Sequence, residues 1–480
     1  MRRTISSLAV AAVVLGGCGK LDITNPNTPS QETAALNPRD ASIRLIGGVI
    51  ASYRGARGGL INAFGSYGRE TYNMTPQDGR SVTGPYRDWA QNNAFTAGTA
   101  WGGPYGNYRN IYEAIKLITN TPDGPITPTE KKGGTGVLKT ILALELLHVI
   151  EARGSIGAVV DMTDDVNEVH PFVPEDSVYK WITAKLDEAK ADLDAAGTSF
   201  YFPIPTGFGV GVAANTPAGF GQLNRALKAR VEAKRGSLGC GAPCYSAAAT
   251  AVAASFFSAL TATNRDNGVY VVFSIAAGDV LNGISFATNN NLYVHPLFDA
   301  LTGAAADDRY RRKILKGATV CGGAYSSRTL VSVTAVNRPC TYATNVTPIP
   351  IVRNEELQLI RAEARWFTGD QAGAIADLAA VRSASGATNG GTAAVQFATP
   401  ANATDFTTEL LLQRSLSLFQ EGHRFPDYRR FGRLATLGTL AQDMAASFTV
   451  APYSVLPSQE CDSRSRAGAA APKSCPGGGT

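Results

Sequence analysis

Between residues 67 and 101 the sequence gathers side chains suited to holding a small polar ligand: Tyr67, Arg69, Tyr72, Asn73, Asp78, Arg80, Tyr86, Arg87, Trp89, Asn92, Asn93 and Trp101. An aromatic ring covers the apolar face of a sugar or peptide, while Asn, Asp and Arg hydrogen-bond its polar groups in pairs. Trp89 lies in an Asn-rich, loop-like stretch and is the first candidate contact. Tyr72, Asn73, Asp78, Arg80, Tyr86, Asn92, Asn93 and Trp101 accompany it. Tyr105, Tyr108 and Tyr112 fall at helical spacing and read as core, and Trp181 and Trp366 as helix packing.

Catalytic and metal signatures are absent elsewhere. Gly133–Thr140 ends in Lys139-Thr140 but has Leu138 where a phosphate loop needs glycine. The histidines His148, His170, His295 and His423 are scattered. His148 and Glu151 share a helix face at a spacing more typical of packing than of a metal pair. Asp164, Asp165, Asn167 and Glu168 lack the spacing and closing glutamate of an EF-hand loop. No metal and no cofactor is expected.

The elements that must position the cluster are helices. Apolar residues recur every three to four positions at Ile43–Tyr53, Tyr108–Ile118, Val137–Leu147, Val178–Leu193, Leu223–Val231, Ser246–Ala262, Leu357–Phe367, Ile375–Val381 and about 405–421. They form pairs at about 43–119, 137–195, 221–262 and 352–384. In the clearest pair Gly369 ends one helix and Asp370 caps the next, with alanines at the close contacts. This predicts a mostly all-α fold: tetratricopeptide-like pairs stacked as a right-handed superhelical scaffold, with long irregular loops and minor β. The loops are 55–104, 264–350 and 385–404. Val269–Phe273 and Thr329–Val333 look strand-like, and Gly390-Gly391 marks the last loop as flexible. One domain over 41–460 is expected, preceded by a tether at 18–40 and followed by a loose tail at 461–480.

The first residues set the compartment. Arg2 and Arg3 precede a short apolar run, and Leu15-Gly16-Gly17-Cys18 fits the bacterial lipoprotein signal. Residues 1–17 would be removed and Cys18 acylated, giving lasting attachment to a membrane. No later apolar stretch is read as long enough to span one. The remaining six cysteines suit an exported chain. Six allow fifteen pairings; local closure joins Cys240 with Cys244, Cys321 with Cys340 and Cys461 with Cys475, with a metal site as a weak alternative. Without Arg2 and Arg3 the chain has 42 basic and 39 acidic residues. That balance argues against nucleic acid as a partner.

Pro350-Ile351-Val352-Arg353-Asn354-Glu355-Glu356-Leu357 through Ala364 resembles the signature of the SusD/RagB family. So do Gly369-Asp370, Val381-Arg382, the run Phe419-Gln420-Glu421-Gly422-His423-Arg424-Phe425-Pro426-Asp427, the aromatic helix from Trp101, and Leu21-Asp22-Ile23-Thr24-Asn25-Pro26. The chain departs from the family pattern at Gln413, where Glu is usual, and at Arg153–Gly157. The resemblance implies a non-catalytic, surface-exposed outer-membrane lipoprotein that binds glycans or peptides and docks on a TonB-dependent transporter. It also implies a second ligand-contacting loop at about 275–300, with Asn290 and Tyr293. Glu421, Arg424 and Asp427, three apart, read as a structural ion network meeting at one helical end. Two other readings stand beside this one: a secreted helical glycosidase with two facing carboxylates, and a tetratricopeptide-like adaptor with no small ligand.

Overall fold

The computed structural model describes residues 36–79, 98, 100–315, 321, 326–438 and 452–475. Asn37 caps helix α1 (Pro38–Tyr67), which buries Ile46, Val49, Ile50, Tyr53, Leu60, Ile61 and Phe64 along one face. Strand β1 (Thr71–Asn73) and helix α2 (Gly102–Asn120) follow. Helix α3 (Pro128–Arg153) opens with a reciprocal capping box between Thr127 and Glu130. It has the length and hydropathy to cross a membrane, contrary to the reading of the sequence. Its apolar stretch is 94% buried by neighbouring helices, so it is the central helix of the fold.

Gly133, Gly134 and Gly136 are where α3 is approached most closely. A Cβ on Gly136 would stand 2.7 Å from Leu193 Cγ of α4 (Glu175–Asp194). The glycine-rich run is therefore a packing surface. Strand β2 (Gly209–Val210), α5 (Pro217–Arg235) and α6 (Ala242–Ala253) come next. Helix α6 ends nine residues short of the expected Ala262, and the chain turns at 254–256.

The segment from 268 to 353 holds short pieces: β3 (Gly268–Val271), β4 (Leu292–Val294), α7 (Pro296–Asp299), α8 (Asp308–Lys313), β5 (Ile314–Leu315), β6 (Arg328–Leu330), β7 (Val333–Ala335), β8 (Arg338–Pro339) and β9 (Ile349–Arg353). They pair antiparallel as β1–β4, β2–β3–β9, β5–β8 and β6–β7. Helices α9 (Asn354–Phe367) and α10 (Gln371–Val381) form the pair with the clearest turn: Gly369 takes φ 99° and Asp370 accepts the Gly373 N–H at 2.9 Å. Then come α11 (Ala403–Ser417), α12 (Arg424–Arg430) and α13 (Ser458–Arg466). In space the order is α1–α2–α3–α4–α5–α6–α9–α10, each helix packed on its neighbours. The fold is mainly all-α with little strand, and the helix pairs stack in the tetratricopeptide manner.

Two segments differ from expectation. The loop after α10 is pinned: buried Asp307 accepts the Ala394 N–H at 2.8 Å, and buried Glu409 accepts those of Gln396 and Phe397 at 2.8 and 2.9 Å. Residues 458–466, placed in or beside a loose tail, form α13. Its Arg464 is buried over Phe172 and donates to the His170 carbonyl at 2.9 Å. The structure contains the disulfides Cys240–Cys244, Cys321–Cys340 and Cys461–Cys475.

Behind the stack lies a buried ionic array. Arg230 of α5 holds Glu356 of α9 (Nε to Oε1, 2.6 Å). Lys234 pairs with Glu151 at 2.8 Å. Arg353 pairs with Glu421 and Glu355, Arg414 with Asp427 at 2.6 Å, and Arg430 with both Glu363 and Asp427. Glu421 and Asp427 thus meet cations from other elements as well as Arg430. No ion pair joins either acid to Arg424, whose guanidinium lies over Phe298 and Tyr428. The charges staple elements together; they do not close on one helical end.

A candidate ligand-binding face along helix α2

Of the residues singled out for ligand contact, Arg80, Tyr86, Trp89, Asn92 and Asn93 lie outside the described residues, as does Cys18. Tyr72, Asn73, Asp78 and Trp101 sit on the chain entering and leaving that segment, and Asn290 and Tyr293 at strand β4. On the entering side, β1 pairs with β4 so that Tyr72 stands opposite Tyr293. The Met74 N–H donates to the Asn291 carbonyl at 2.7 Å. Two stretches far apart in sequence are thereby joined in one ribbon.

The two tyrosines are not available as platforms. Tyr72 is buried and stacked on His295, with ring centroids 4.4 Å apart. Tyr293 is buried, its hydroxyl donates to the Ser326 carbonyl at 3.0 Å, and Arg328 covers its ring. Both belong to a small apolar cluster with Met74, Val333 and Ala335. Strand alternation turned the aromatic residues inward and left the polar ones at the rim. Asn73 and Asp78 are half-buried there and Asn290 is exposed.

On the leaving side, Trp101 precedes α2 and is 9% exposed. Its ring stacks on Phe172 at 5.8 Å with 5° between planes, meets Tyr105 edge-on and is covered by Arg153 at 5.2 Å. Arg153 is fully buried and donates to the carbonyls of Ser454 and Val455 at 2.8 and 2.7 Å. It thus ties the end of α3, Trp101 and the chain before α13 together.

Trp101 stands at one end of a trough. A groove of about 690 Å³ runs between the start of α2, residues 159–170 and α13, lined by Trp101, Tyr105, Arg109, Glu168 and Arg466 among others. It shares Asp161, Met162, Thr163 and His170 with a second groove of about 730 Å³ along α2 and α4, lined by Tyr108, Tyr112, Lys116, Trp181 and Lys185. Aromatic rings therefore recur at 101, 105, 108 and 112, one helical face, with Trp181 across from them.

The trough is preorganised. The hydroxyls of Tyr105 and Tyr108 donate to the carbonyls of Val159 and Val160 at 3.0 and 2.7 Å. Burial pushes both phenols above their ordinary range, so they stay neutral. Four of the cations are matched: Arg109 with Glu113, Lys116 with Asp164, Lys139 with Asp192, and Lys185 with Glu188, all within 3 Å. Asp164 is held below its ordinary value, first by the Lys116 hydrogen bond. Tyr105, Tyr108 and Trp181, read as packing, do pack on the core and also line the trough. Tyr112, read as core, is instead half-buried at the groove, where its hydroxyl meets Asp164. The signal was the aromatic repeat on one face of α2.

No group of His, Cys, Asp and Glu able to hold a metal occurs among the described residues. His148 Nδ1 lies 3.5 Å from Glu151, which Lys234 neutralises.

Residues 323–463 match the model of the SusD family. The match covers less than a third of the chain, which resembles the SusD/RagB family over that stretch. Solved structures of that superfamily share its fold over most of its length. A laminarin-binding SusD-like protein matches with a TM-score of 0.59 at 17% identity, covering 88% of this chain and 97% of its own. NanU of B. fragilis matches at 0.57 and 15%, covering 85% and 92%. A SusD superfamily protein from Bacteroides vulgatus ATCC 8482 matches at 0.63 and 12%, covering 88% and 97%. At these identities the likeness is one of fold. No curated protein matches the chain. The SusD-family segment carries Arg353, Glu355, Glu356, Glu363, Arg414, Glu421, Asp427 and Arg430, most of the ionic array. Nearly all of the trough lies outside it, so the family match concerns the scaffold.

Proposed function

We propose that this chain is a surface lipoprotein, anchored through Cys18, that captures an extended uncharged glycan and passes it to a TonB-dependent outer-membrane transporter. The observation that carries the reading is the trough along α2: aromatic edges at regular spacing, walls of paired charges, and a position beside the chain that leads from Trp89. Matched charges leave little net field to attract an ionic ligand, whereas rings and fixed carbonyls suit sugar faces and hydroxyls. The laminarin-binding relative supports a glycan over a peptide. Anchoring and the transporter rest on the Leu15–Cys18 signal and on the family resemblance.

The test is a glycan and peptide array with the mature chain lacking Cys18, beside Trp89→Ala and Trp181→Ala. Binding to one glycan class that weakens in both variants supports the reading. Binding to peptides alone changes the ligand class. Binding to neither array leaves a transporter-docking adaptor, and release of new reducing ends from a bound glycan makes the chain a glycosidase.

A further inference from the structure

A cavity of about 250 Å³ lies between α1, α3, α5 and the paired strands β3 and β9. Its walls are apolar: Ile50 of α1, Leu144 of α3, Phe220, Leu223 and Leu227 of α5, and Ile351 of β9. It shares no lining residue with the trough.

The cavity reaches solvent along α1. Gly47 and Ala51, one turn apart on that helix, belong to its lining and are exposed. A Cβ on Gly47 would meet nothing within 4 Å, so no neighbour requires a glycine there. Glycine weakens a helix interior relative to alanine. With no side chain at 47 and only a methyl at 51, the entrance stays open.

The polar side chains of the lining are already engaged. The Tyr53 hydroxyl meets His148 Nε2 at 3.2 Å. The Thr140 hydroxyl donates to the Gly136 carbonyl at 2.8 Å and accepts from Asn224 at 2.9 Å. Arg54 pairs with Asp279 and donates to the Val272 carbonyl at 3.2 Å. Asp279 also accepts from the Ser274 hydroxyl at 2.7 Å and the Val280 N–H at 2.8 Å. Arg54 and Asp279 are the only charged residues of the lining, and they cancel.

That chemistry selects the ligand. A polar molecule, or a well-held water, needs two or more partners, and this lining has few to spare. A matched ion pair attracts neither cation nor anion. An apolar group instead displaces poorly held water and gains contacts with the walls. An engineered apolar cavity of roughly 150 Å³ takes up benzene, so the room here suits one or two rings. We propose that this cavity is a binding site for a compact, uncharged apolar molecule of one or two rings, entering past Gly47 and Ala51. The site is separate from the trough and does not depend on what the trough holds.

The test is titration of the mature chain lacking Cys18 with toluene, indole and cyclohexane, followed by calorimetry and by the methyl resonances of the chain. Benzoate is the charged control. Gly47→Phe and Ala51→Phe are the blocking variants; both positions are exposed, and melting temperatures confirm that each variant is folded. The expected result is millimolar or tighter binding of at least one neutral probe, with methyl shifts at Leu144, Leu223 and Leu227. Benzoate should bind at least about tenfold more weakly than toluene, and the neutral probe about tenfold more weakly in each variant. Binding of no neutral probe overturns the proposal. So does benzoate binding as tightly as toluene, a set of methyl shifts that leaves these three leucines untouched, or undiminished affinity in both variants.

Discussion

Arg353 and Glu421, 68 positions apart, meet inside the molecule: Nη2 lies 2.8 Å and Nε 3.1 Å from the same carboxylate oxygen. Both are almost fully buried. Arg353 ends β9 and also donates to Glu355 and to the Ser417 carbonyl. One guanidinium therefore joins β9, α9, α11 and the turn before α12. Removing a partner from such a pair leaves a buried charge, which typically costs about 3–5 kcal/mol. Glu421→Ala should fall at the low end, about 3 kcal/mol, because Glu355 still faces Arg353. Urea denaturation measures it; a loss below about 1 kcal/mol would mean the pair is dispensable.

Glu145 gives a pH signature. Burial pushes its carboxyl up to about 7, partly opposed by the Asn107 hydrogen bond. Folding therefore retains a proton that the unfolded chain releases near 4.5. Glu145 by itself therefore makes the protein less stable as pH rises from about 4.5 to about 7, with no further change above that. His148, one turn along the same helix, is pushed down to about 4 by burial and acts with the opposite sign, losing stability as pH falls from 6.5 to about 4, so the two largely offset in the wild type. Glu145→Gln removes the first effect alone. Its stability relative to wild type should rise across pH 4.5–7 by at most about 3 kcal/mol. Melting temperatures of the two proteins over pH 4–8 decide it, and parallel curves would contradict the buried carboxyl.

The loop after α10 gives a local test. Glu409 is fully buried and holds the N–H groups of Gln396 and Phe397, Arg382 at 2.9 Å and Gln413 Nε2 at 2.7 Å. Gln413 also donates to the Ala394 carbonyl at 2.8 Å. A glutamine stands where the family pattern has a glutamate, and its amide bridges Glu409 and this loop. Glu409→Ala should free residues 389–397 to hydrogen exchange and proteolysis, with loss of about 3 kcal/mol of stability. Unchanged protection there would show that the loop is held by other contacts.

These three cases separate what spacing reveals from what it hides. The helix pairs were legible because most of the helices bury one stripe, and a 3.6-residue period is written locally; Gly369 and Asp370 marked a turn in the same way. The ionic array was legible only as charges. Glu421, Arg424 and Asp427 suggested a meeting among themselves, but their partners, Arg353 and Arg414 among them, arrive from other elements, and no local spacing encodes that. Gly390-Gly391 suggested a flexible loop and said nothing of Asp307 and Glu409, which hold the backbone beside it. Aromatic content located the 67–101 region but could not say which rings turn inward; the pairing of β1 with β4 decided that for Tyr72 and Tyr293. The trough escaped because residues such as Tyr108 were assigned either to core or to ligand, when a ring at a groove edge serves both.

The Cys461–Cys475 bond links α13 to the end of the described chain. Closing a loop of roughly 15 residues stabilises by about 3 kcal/mol in the chain-entropy picture. Here the effect should be local, since α13 is one wall of the trough and Arg464 is the contact that seats it. Replacing both cysteines by serine should leave the main thermal transition within a few degrees. It should also raise hydrogen exchange at 458–466 and weaken array-glycan binding. Retained binding with a mobile α13 would remove that helix from the site.

Trp181 gives the sharpest test of the trough. It is half-buried, 6.4 Å from Tyr108 between ring centroids, with Lys185 Nζ 5.2 Å from its own centroid. If it served only as packing, Trp181→Phe would cost little stability and leave ligand binding alone. If it is a platform, phenylalanine should retain part of the affinity, and Trp181→Ala should lose about tenfold or more, roughly 1.4 kcal/mol. Tyr112→Ala, one helical turn beyond Tyr108 on the same face, should show a comparable loss. Calorimetric titration with the array glycan, alongside melting temperatures for every variant, separates the two roles. Affinity falling from tryptophan to phenylalanine to alanine while stability holds marks a binding surface; affinity that falls only with the melting temperature returns Trp181 to the core.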